Sequence, residues 1–189
     1  MANTGIILAG GQSSRMGTEK GLVLYKYKSL ILYALETLIP LCDEILISSG
    51  NEKFKEFGYE IVPDEIAGIG PMGGIYSCLK RSKNELNLVL SCDMPYVTSD
   101  IFNHLLNQRG QALISVPWYE KDHYEPLCGV YHREIVQYLS SYIQKQNFKL
   151  PDLFKEIPFF ALNINDLQPP LSEHYFFNIN KPGDLNTKY

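Results

Sequence analysis

At 189 residues, with 45% hydrophobic and 20% charged side chains, the chain carries enough apolar surface for a full core and no disordered bias, so a single α/β domain spanning 1–189 is expected. A net charge of −4 argues against a general nucleic-acid binder, Met1 to Thr4 is too short for a signal peptide, and no apolar run approaches the ~18 residues of a membrane span. Cys42, Cys78, Cys92 and Cys128 contain no C-x-x-C pair and read as small buried side chains in a reducing compartment, not zinc ligands or disulfides, so a cytoplasmic location is expected.

The first element, Gly5-Ile6-Ile7-Leu8-Ala9, is a short run of apolar and small residues stopped by Gly10-Gly11, the pattern of a strand buried on both faces of a parallel sheet. Two glycines free the backbone for φ > 0 and let a ligand approach main-chain N–H groups. Gln12, Ser13 and Ser14 add donors, and Arg15 and Lys20 add positive charge, a combination suited to a polyphosphate. Neither common phosphate loop is present. A P-loop requires G-x-x-x-x-G-K-[ST], whereas Gly11 and Gly17 lie six apart and are followed by Thr18-Glu19; the G-x-G-x-x-G of dinucleotide folds is also missing.

Residues 22–28 read as a short excursion that returns to the sheet, and Ser29 as the N-cap of a helix with Leu30, Ile31, Ala34, Leu35 and Leu38 on its apolar side, stopped by Pro40. Glu44 to Ser48 is a second strand ending in Ser48-Ser49-Gly50-Asn51. A third, Tyr59 to Val62, ends in Pro63-Asp64, and Gly68-Ile69-Gly70-Pro71-Met72-Gly73-Gly74 then opens a helix reaching about Lys83. Its paired glycines serve either a ligand or tight helix–sheet packing. Leu86 to Leu90 is a strand that runs into Ser91-Cys92-Asp93-Met94-Pro95. A carboxylate at the carboxyl end of a central parallel strand stands where open α/β sheets bind ligands, and a hard oxygen ligand there can dock Mg²⁺ with phosphate and water. Capping of the next helix is better left to Thr98, Ser99 or Asp100, which lie closer to it.

Ile101 to Arg109 reads as a helix and Ala112 to Val116 as a strand. Pro117 to Pro126, aromatic and doubly charged, reads as a loop able to stack on a flat heterocycle, ahead of a strand near Leu127 to Tyr131; His123 within it is given no catalytic role. Glu134 to Gln146 has helical spacing, Pro151 starts another helix with Leu153 and Phe154, Pro158 to Leu162 is an edge strand, and Leu167 to Ser172 a loop. Phe176 to Leu185 reads as a strand end returning to the site before a short helix with proline in its first turn, which puts Asn178 and Asn180 on one face. The expected fold is α/β: a doubly wound, mostly parallel sheet with helices on both faces and ligands at the carboxyl ends of the strands.

Leu8-Ala9-Gly10-Gly11 with Ser13 to Gly17 and Lys20 resembles the opening signature of nucleotidyltransferases, and above all that of the molybdenum cofactor guanylyltransferases, the MobA-like group. The resemblance continues through G-P-x-x-G-I at Gly70 to Ile75, D-x-P at Asp93 to Pro95, P-L-x-x-x-Y at Pro126, Leu127 and Tyr131, and N-x-N-x-P-x-D-L at Asn178 to Leu185, so it spans nearly the whole chain. It implies a Rossmann-like nucleotidyltransferase fold in which Arg15, Lys20 and Asp93 are catalytic and Asp93 is the Mg²⁺ ligand. Leu8, Ala9, Gly10, Gly11, Ser13, Lys20, Asn51, Asp64, Asp93, Asn178 and Asn180 would hold the nucleotide. The implied reaction transfers GMP from GTP to the terminal phosphate of Mo-molybdopterin, releasing pyrophosphate and forming molybdopterin guanine dinucleotide. Implied partners are the two substrates, with transient contact to other molybdenum cofactor biosynthesis proteins or acceptor apoenzymes, and neither nucleic acid nor membrane. Asn51 is equally a loop asparagine, and Asn180 equally a helix cap. The chain departs from the family at Gln146 to Pro151, where a glycine and a basic pair are usual, and at Lys181, where Thr or Asp is common. Three rivals stand: a CTP-dependent molybdopterin cytidylyltransferase, a sugar- or polyol-phosphate nucleotidyltransferase, and a non-catalytic nucleotide-binding regulator. Retention of Arg15, Lys20 and Asp93 together weighs against the last, and L-A-G-G, where cytidylyl relatives more often carry L-A-A-G, weighs toward a purine.

Overall fold

The computed structural model describes residues 2–10, 19–120, 123–167 and 172–186. Strand β1 (Asn3–Leu8) is buried at all six positions, and its side chains alternate between two apolar clusters: Ile7 enters one, with the following Ala9, and Ile6 and Leu8 the other. A strand of that kind is stable only between two neighbours and under two layers of helix. β2 (Leu24–Tyr25) and β3 (Lys28–Ser29) form a separate antiparallel hairpin whose turn residues, Lys26 and Tyr27, take φ of 46° and 70°, the left-handed values a two-residue hairpin turn requires. Helix α1 (Leu30–Leu38) then crosses to β4 (Glu44–Ser48), which pairs parallel with β1; β5 (Glu60–Val62) adds parallel to β4. Helix α2 (Pro71–Arg81) returns the chain to β6 (Leu86–Ser91), parallel to β1 on its other side.

After α3 (Ser99–Gln108) the sheet becomes mixed. β7 (Ile114–Glu120) folds back as β8 (His123–Tyr124), and β9 (Cys128–His132) inserts antiparallel between β6 and β7. α4 (Val136–Gln144) and α5 (Leu150–Leu153) lead to β10 (Phe159–Asn163), parallel to β7, giving the order β10-β7-β9-β6-β1-β4-β5. α1 and α3 cover one face, and α2, α4 and α5 the other, so the doubly wound α/β expectation holds. Each fully buried aliphatic side chain along β1, β4 and β6, such as Ile6, Ile7, Leu46 and Leu88, contributes about 1.5–3 kcal/mol.

Two local expectations are corrected. The stretch from Pro117 to Glu120 is strand, not loop: proline removes only a donor, its carbonyl still accepts the Glu125 N–H at 3.0 Å, and the flanking aromatics favour a pleated surface. Phe177 to Asn180 is not a strand end. It lies between short 3₁₀ turns at Glu173–Phe176 and Pro182–Asn186 and is tied to the sheet side by Ile179 N–H donating to the Asp93 carbonyl at 2.9 Å, because the chain after β6 has already turned out of the sheet. Most of the expected loop Leu167 to Ser172 falls outside the described residues. Cys78, Cys92 and Cys128 are buried free thiols, and burial, with Asp43 adding to it, pushes the Cys42 thiol up to about 12. Among the described residues no helix is long and apolar enough to cross a membrane, and no cluster of His, Cys, Asp and Glu could by itself hold a metal ion.

Candidate nucleotide site

The carboxyl ends of β1 and β6 lie side by side, Leu8 opposite Ser91, at the point where chain connections diverge to the two halves of the sheet. That is where doubly wound sheets open a crevice. The Cys92 N–H donates to the Leu8 carbonyl at 3.1 Å, which brings Asp93 out next to Ala9 and Gly10; on the other flank Ala9 N–H donates to the Ser48 carbonyl at 3.0 Å.

Lys20, opening a 3₁₀ turn over Lys20–Leu22, reaches back into this crevice. Its ammonium donates to Oδ2 of Asp93 and, at 2.6 Å, to Oδ1 of Asn180. The Lys20 and Asp93 side chains are only 20% and 10% exposed, so the pair is largely desolvated. Asp93 Oδ1 is buried with no hydrogen-bond partner among the described residues. Asn180 is held in place from behind: Ile179 is fully buried, and the N–H groups of Asn180 and Lys181 donate to Asp184 Oδ2 at 2.9 and 3.0 Å. The turn is thus capped by Asp184, leaving the Asn180 side chain free to face Lys20. Asn178 turns its Nδ2 to the Phe176 carbonyl at 3.0 Å, and it borders with Asn180 a cavity of about 550 Å³ walled by Tyr119 and Phe176, whose rings stack at 5.3 Å.

A second cavity, about 670 Å³, opens on the β4 side of Gly10 and is lined by Leu8, Gly10, Ser48, Asp64, Pro71 and Leu127 among others. Its size and apolar lining with few polar groups suit a small ligand. Gly10 does not use left-handed freedom; what it gives is space, since a Cβ there would stand 3.3 Å from the Ser48 carbonyl oxygen. At Gly74 a Cβ would meet Ser48 Oγ at 2.3 Å and Leu8 Cδ2 at 3.3 Å, so this glycine both lets α2 ride close to the sheet and borders the cavity. Gly70, at φ 66° and ψ −155°, swings the chain into α2 with Pro71 at its first turn, so the helix N-terminus faces the cavity with its positive dipole end. Ser48 Oγ lies 3.4 Å from Asp64 Oδ1; burial raises the Asp64 pKa and the Ser48 hydroxyl opposes the rise.

Leu8, Gly10 and Asp64 thus line the larger cavity and Asn178 and Asn180 the smaller, with the Lys20–Asp93 pair meeting Asn180 at the smaller one, while Ala9 packs into the core. Asn51 does not border either cavity: it caps the 3₁₀ turn Glu52–Phe57, its Oδ1 accepting from Lys53 N–H at 3.0 Å. Gly11, Ser13 and Arg15 lie outside the described residues. His123 sits on β8 with its ring 6.0 Å from that of Tyr119.

The sequence reading missed Glu125. Its N–H is held by the Pro117 carbonyl and its Oε1 accepts from Leu127 N–H at 3.3 Å, which pins the carboxyl at the entry to β9. Burial pushes its pKa up to about 7, against the Leu127 bond and with a further push from the Asp93 charge. A glutamate just before a Pro-Leu turn was the only available signal. Pro71 and Leu127 also wall an apolar trough of about 340 Å³ that is completed by Phe148 and Lys149, in the segment that departs from the family pattern.

Residues 5–157 match the family model described as the MobA-like NTP transferase domain. A curated relative from Flavobacterium johnsoniae, named "Probable molybdenum cofactor guanylyltransferase", is 33% identical over 184 residues, covering 97% of this chain and 94% of the relative. One of the same name from Pyrococcus horikoshii is 35% identical over 187 residues, covering 95% of each. The crystal structure of molybdopterin-guanine dinucleotide biosynthesis protein A from Archaeoglobus fulgidus superposes with a TM-score of 0.79 at 26% identity, covering 96% of this chain and 94% of that one. With the glycine-tipped first strand, the lysine behind it and the aspartate of the neighbouring strand converging at one crevice, this chain belongs to the MobA-like NTP transferase domain family.

Proposed function

We propose that this protein transfers GMP from GTP to the terminal phosphate of Mo-molybdopterin, releasing pyrophosphate and forming molybdopterin guanine dinucleotide. The observation that carries this reading is the convergence of Lys20, Asp93 and Asn180 beside the cavity that Gly10, Ser48 and Asp64 line. The base occupies that cavity. There the Asp64 carboxylate can accept from guanine N1–H and N2–H together, an edge cytosine does not present, and Ser48 supplies a second polar contact. The triphosphate then lies toward Lys20.

No protein nucleophile is required. An anionic oxygen of the acceptor phosphate forms a bond to the α-phosphorus as the bond from that phosphorus to the β-bridging oxygen breaks, and the electron pair leaves with pyrophosphate. Lys20 neutralises phosphate charge, Arg15 joins it from the loop, and loop N–H groups orient the oxygens. The residues present fit Mg²⁺: Asp93 offers a carboxylate whose Oδ1 is buried without a partner among the described residues, and whose Oδ2 converges with Asn180 Oδ1 on one point. Mg²⁺ held by Asp93 and Asn180 would supply further charge neutralisation at the phosphates. A cytoplasmic location and transient contact with acceptor apoenzymes belong to the same reading, since the reduced, buried thiols fit a reducing compartment.

The test is pyrophosphate release with GTP, CTP, UTP or ATP, Mg²⁺ and Mo-molybdopterin. Release that requires both GTP and the pterin, with a guanine dinucleotide as product, is expected; release with CTP, or without the pterin, replaces this reading with one of its rivals.

A further inference from the structure

Asp93 and Asn180 present two oxygens to one point, and that point is already held by a cation. The Lys20 ammonium donates to Asp93 Oδ2 and, at 2.6 Å, to Asn180 Oδ1. A Mg²⁺ ion using the same two oxygens would need to stand about 2.0–2.1 Å from each, inside the space the ammonium fills. The two cations cannot hold Asp93 Oδ2 and Asn180 Oδ1 at the same time. Asp93 is 7% exposed, so its carboxylate is costly to leave without a compensating charge, and whichever cation departs must be replaced. Lysine suits such an exchange, because its charge sits at the end of a flexible stem that can swing to new acceptors.

We propose that in the nucleotide-free protein Lys20 serves as an internal cation that closes the Asp93–Asn180 site, and that Mg²⁺ gains these oxygens only when a bound triphosphate has drawn Lys20 away. This rests on the reading of Asp93 and Asn180 as metal ligands. A bound triphosphate carries several negative charges, giving the ammonium a stronger set of acceptors than one carboxylate and one neutral amide. Lys20 and the metal then stand side by side on the phosphates instead of competing. Binding becomes ordered: nucleotide and metal each tighten the other by the same factor, and free Mg²⁺ alone binds poorly.

The probe is Mn²⁺, followed by loss of its free-ion electron paramagnetic resonance signal, with protein that carries no nucleotide. Parent, Lys20→Met, Lys20→Gln and the double variant Lys20→Met with Asp93→Asn are compared, each checked for folding by circular dichroism. Lys20→Gln keeps amide donors and removes only the charge, so it serves if the methionine variant does not fold. Both single variants should bind Mn²⁺ at least about tenfold more tightly than the parent, and the double variant should lose that gain. Equal Mn²⁺ affinity in parent and single variants overturns the exchange. A separate arm measures Mn²⁺ on the parent and on Asp93→Asn saturated with a non-hydrolysable GTP analogue. Unchanged affinity there overturns Asp93 as a ligand and the inference with it, whereas lost affinity there beside equal affinity in the first arm removes only the exchange.

Discussion

Placing a methyl group on Gly10 separates packing from function at the tip of β1. The backbone there is not left-handed, so alanine brings no φ strain. Its Cβ would stand 3.3 Å from the Ser48 carbonyl oxygen and 3.6 Å from Ser49 Cα, a contact that the end of the β1–β4 ladder can absorb by giving a few tenths of an ångström. Against that cost stands the reduced freedom of the unfolded chain, worth about 0.4–1 kcal/mol, so the melting temperature should move by no more than about 4 °C. The cavity is another matter. Gly10 borders the space assigned to the purine, and a methyl that crowds it costs about 1–3 kcal/mol, a drop of about 5- to 150-fold in kcat/KM for GTP. A pyrimidine reaches less deeply, so CTP bound as a competitor should weaken by less than about twofold. Steady-state pyrophosphate release, CTP inhibition constants and a thermal melt on parent and Gly10→Ala provide the comparison. Equal losses for both nucleotides at an unchanged melting temperature would refute the assignment of this cavity to the base.

Lys20→Ala should keep its fold by circular dichroism yet lose about 10- to 150-fold in kcat/KM, the worth of one charge-assisted contact of about 1.5–3 kcal/mol; normal turnover would remove Lys20 from the mechanism. Asp93→Asn should raise the Mg²⁺ concentration for half-maximal activity by more than it raises the GTP dissociation constant, because the cavity assigned to the base and the α2 N-terminus beside it are left untouched. Identical Mg²⁺ titrations would make Asp93 structural. Glu125 predicts a pH effect on stability. Its folded pKa of about 7 lies above the ordinary 4.5, so the native state holds the proton more tightly. Stability is then full below the ordinary value and falls as pH rises from 4.5 to about 7. The loss is at most about 3 kcal/mol, and less for its partial exposure. Thermal melts of parent and Glu125→Gln across this window should diverge as pH falls, the parent gaining stability that the glutamine variant lacks; superimposable curves would contradict the assigned burial.

The parallel half of the sheet was legible because β1, β4 and β6 are short runs rich in Ile, Leu and Val and closed by turn residues, the pattern of central parallel strands. The meeting of Lys20 with Asp93 followed from the same logic, since adjacent strands put their tips side by side. The reversal at β9 was not legible, because Cys128 to His132 reads the same in either direction and only pairing with β6 and β7 sets its sense. Asn180 was anticipated on a strand yet arrives from a turn capped by Asp184; its reach to Lys20 across 160 residues depends on the buried Ile179, which no local pattern reveals. Asn51 shows the converse: its side chain is spent on a local cap that spacing alone could not distinguish from a base contact. Glu125 escaped notice because its depth comes from tertiary packing, not from its neighbours in sequence.

The central claim, guanylyl transfer, is tested most directly by competition. Parent protein, Mg²⁺ and Mo-molybdopterin are incubated with equal concentrations of differently labelled GTP and CTP, and the dinucleotide product is resolved by mass. Guanine should outweigh cytosine in the product by at least about tenfold, the discrimination expected when the Asp64 carboxylate pairs with one base edge and is left unsatisfied by the other. Equal incorporation, or a product dominated by cytosine, would contradict the guanylyl assignment.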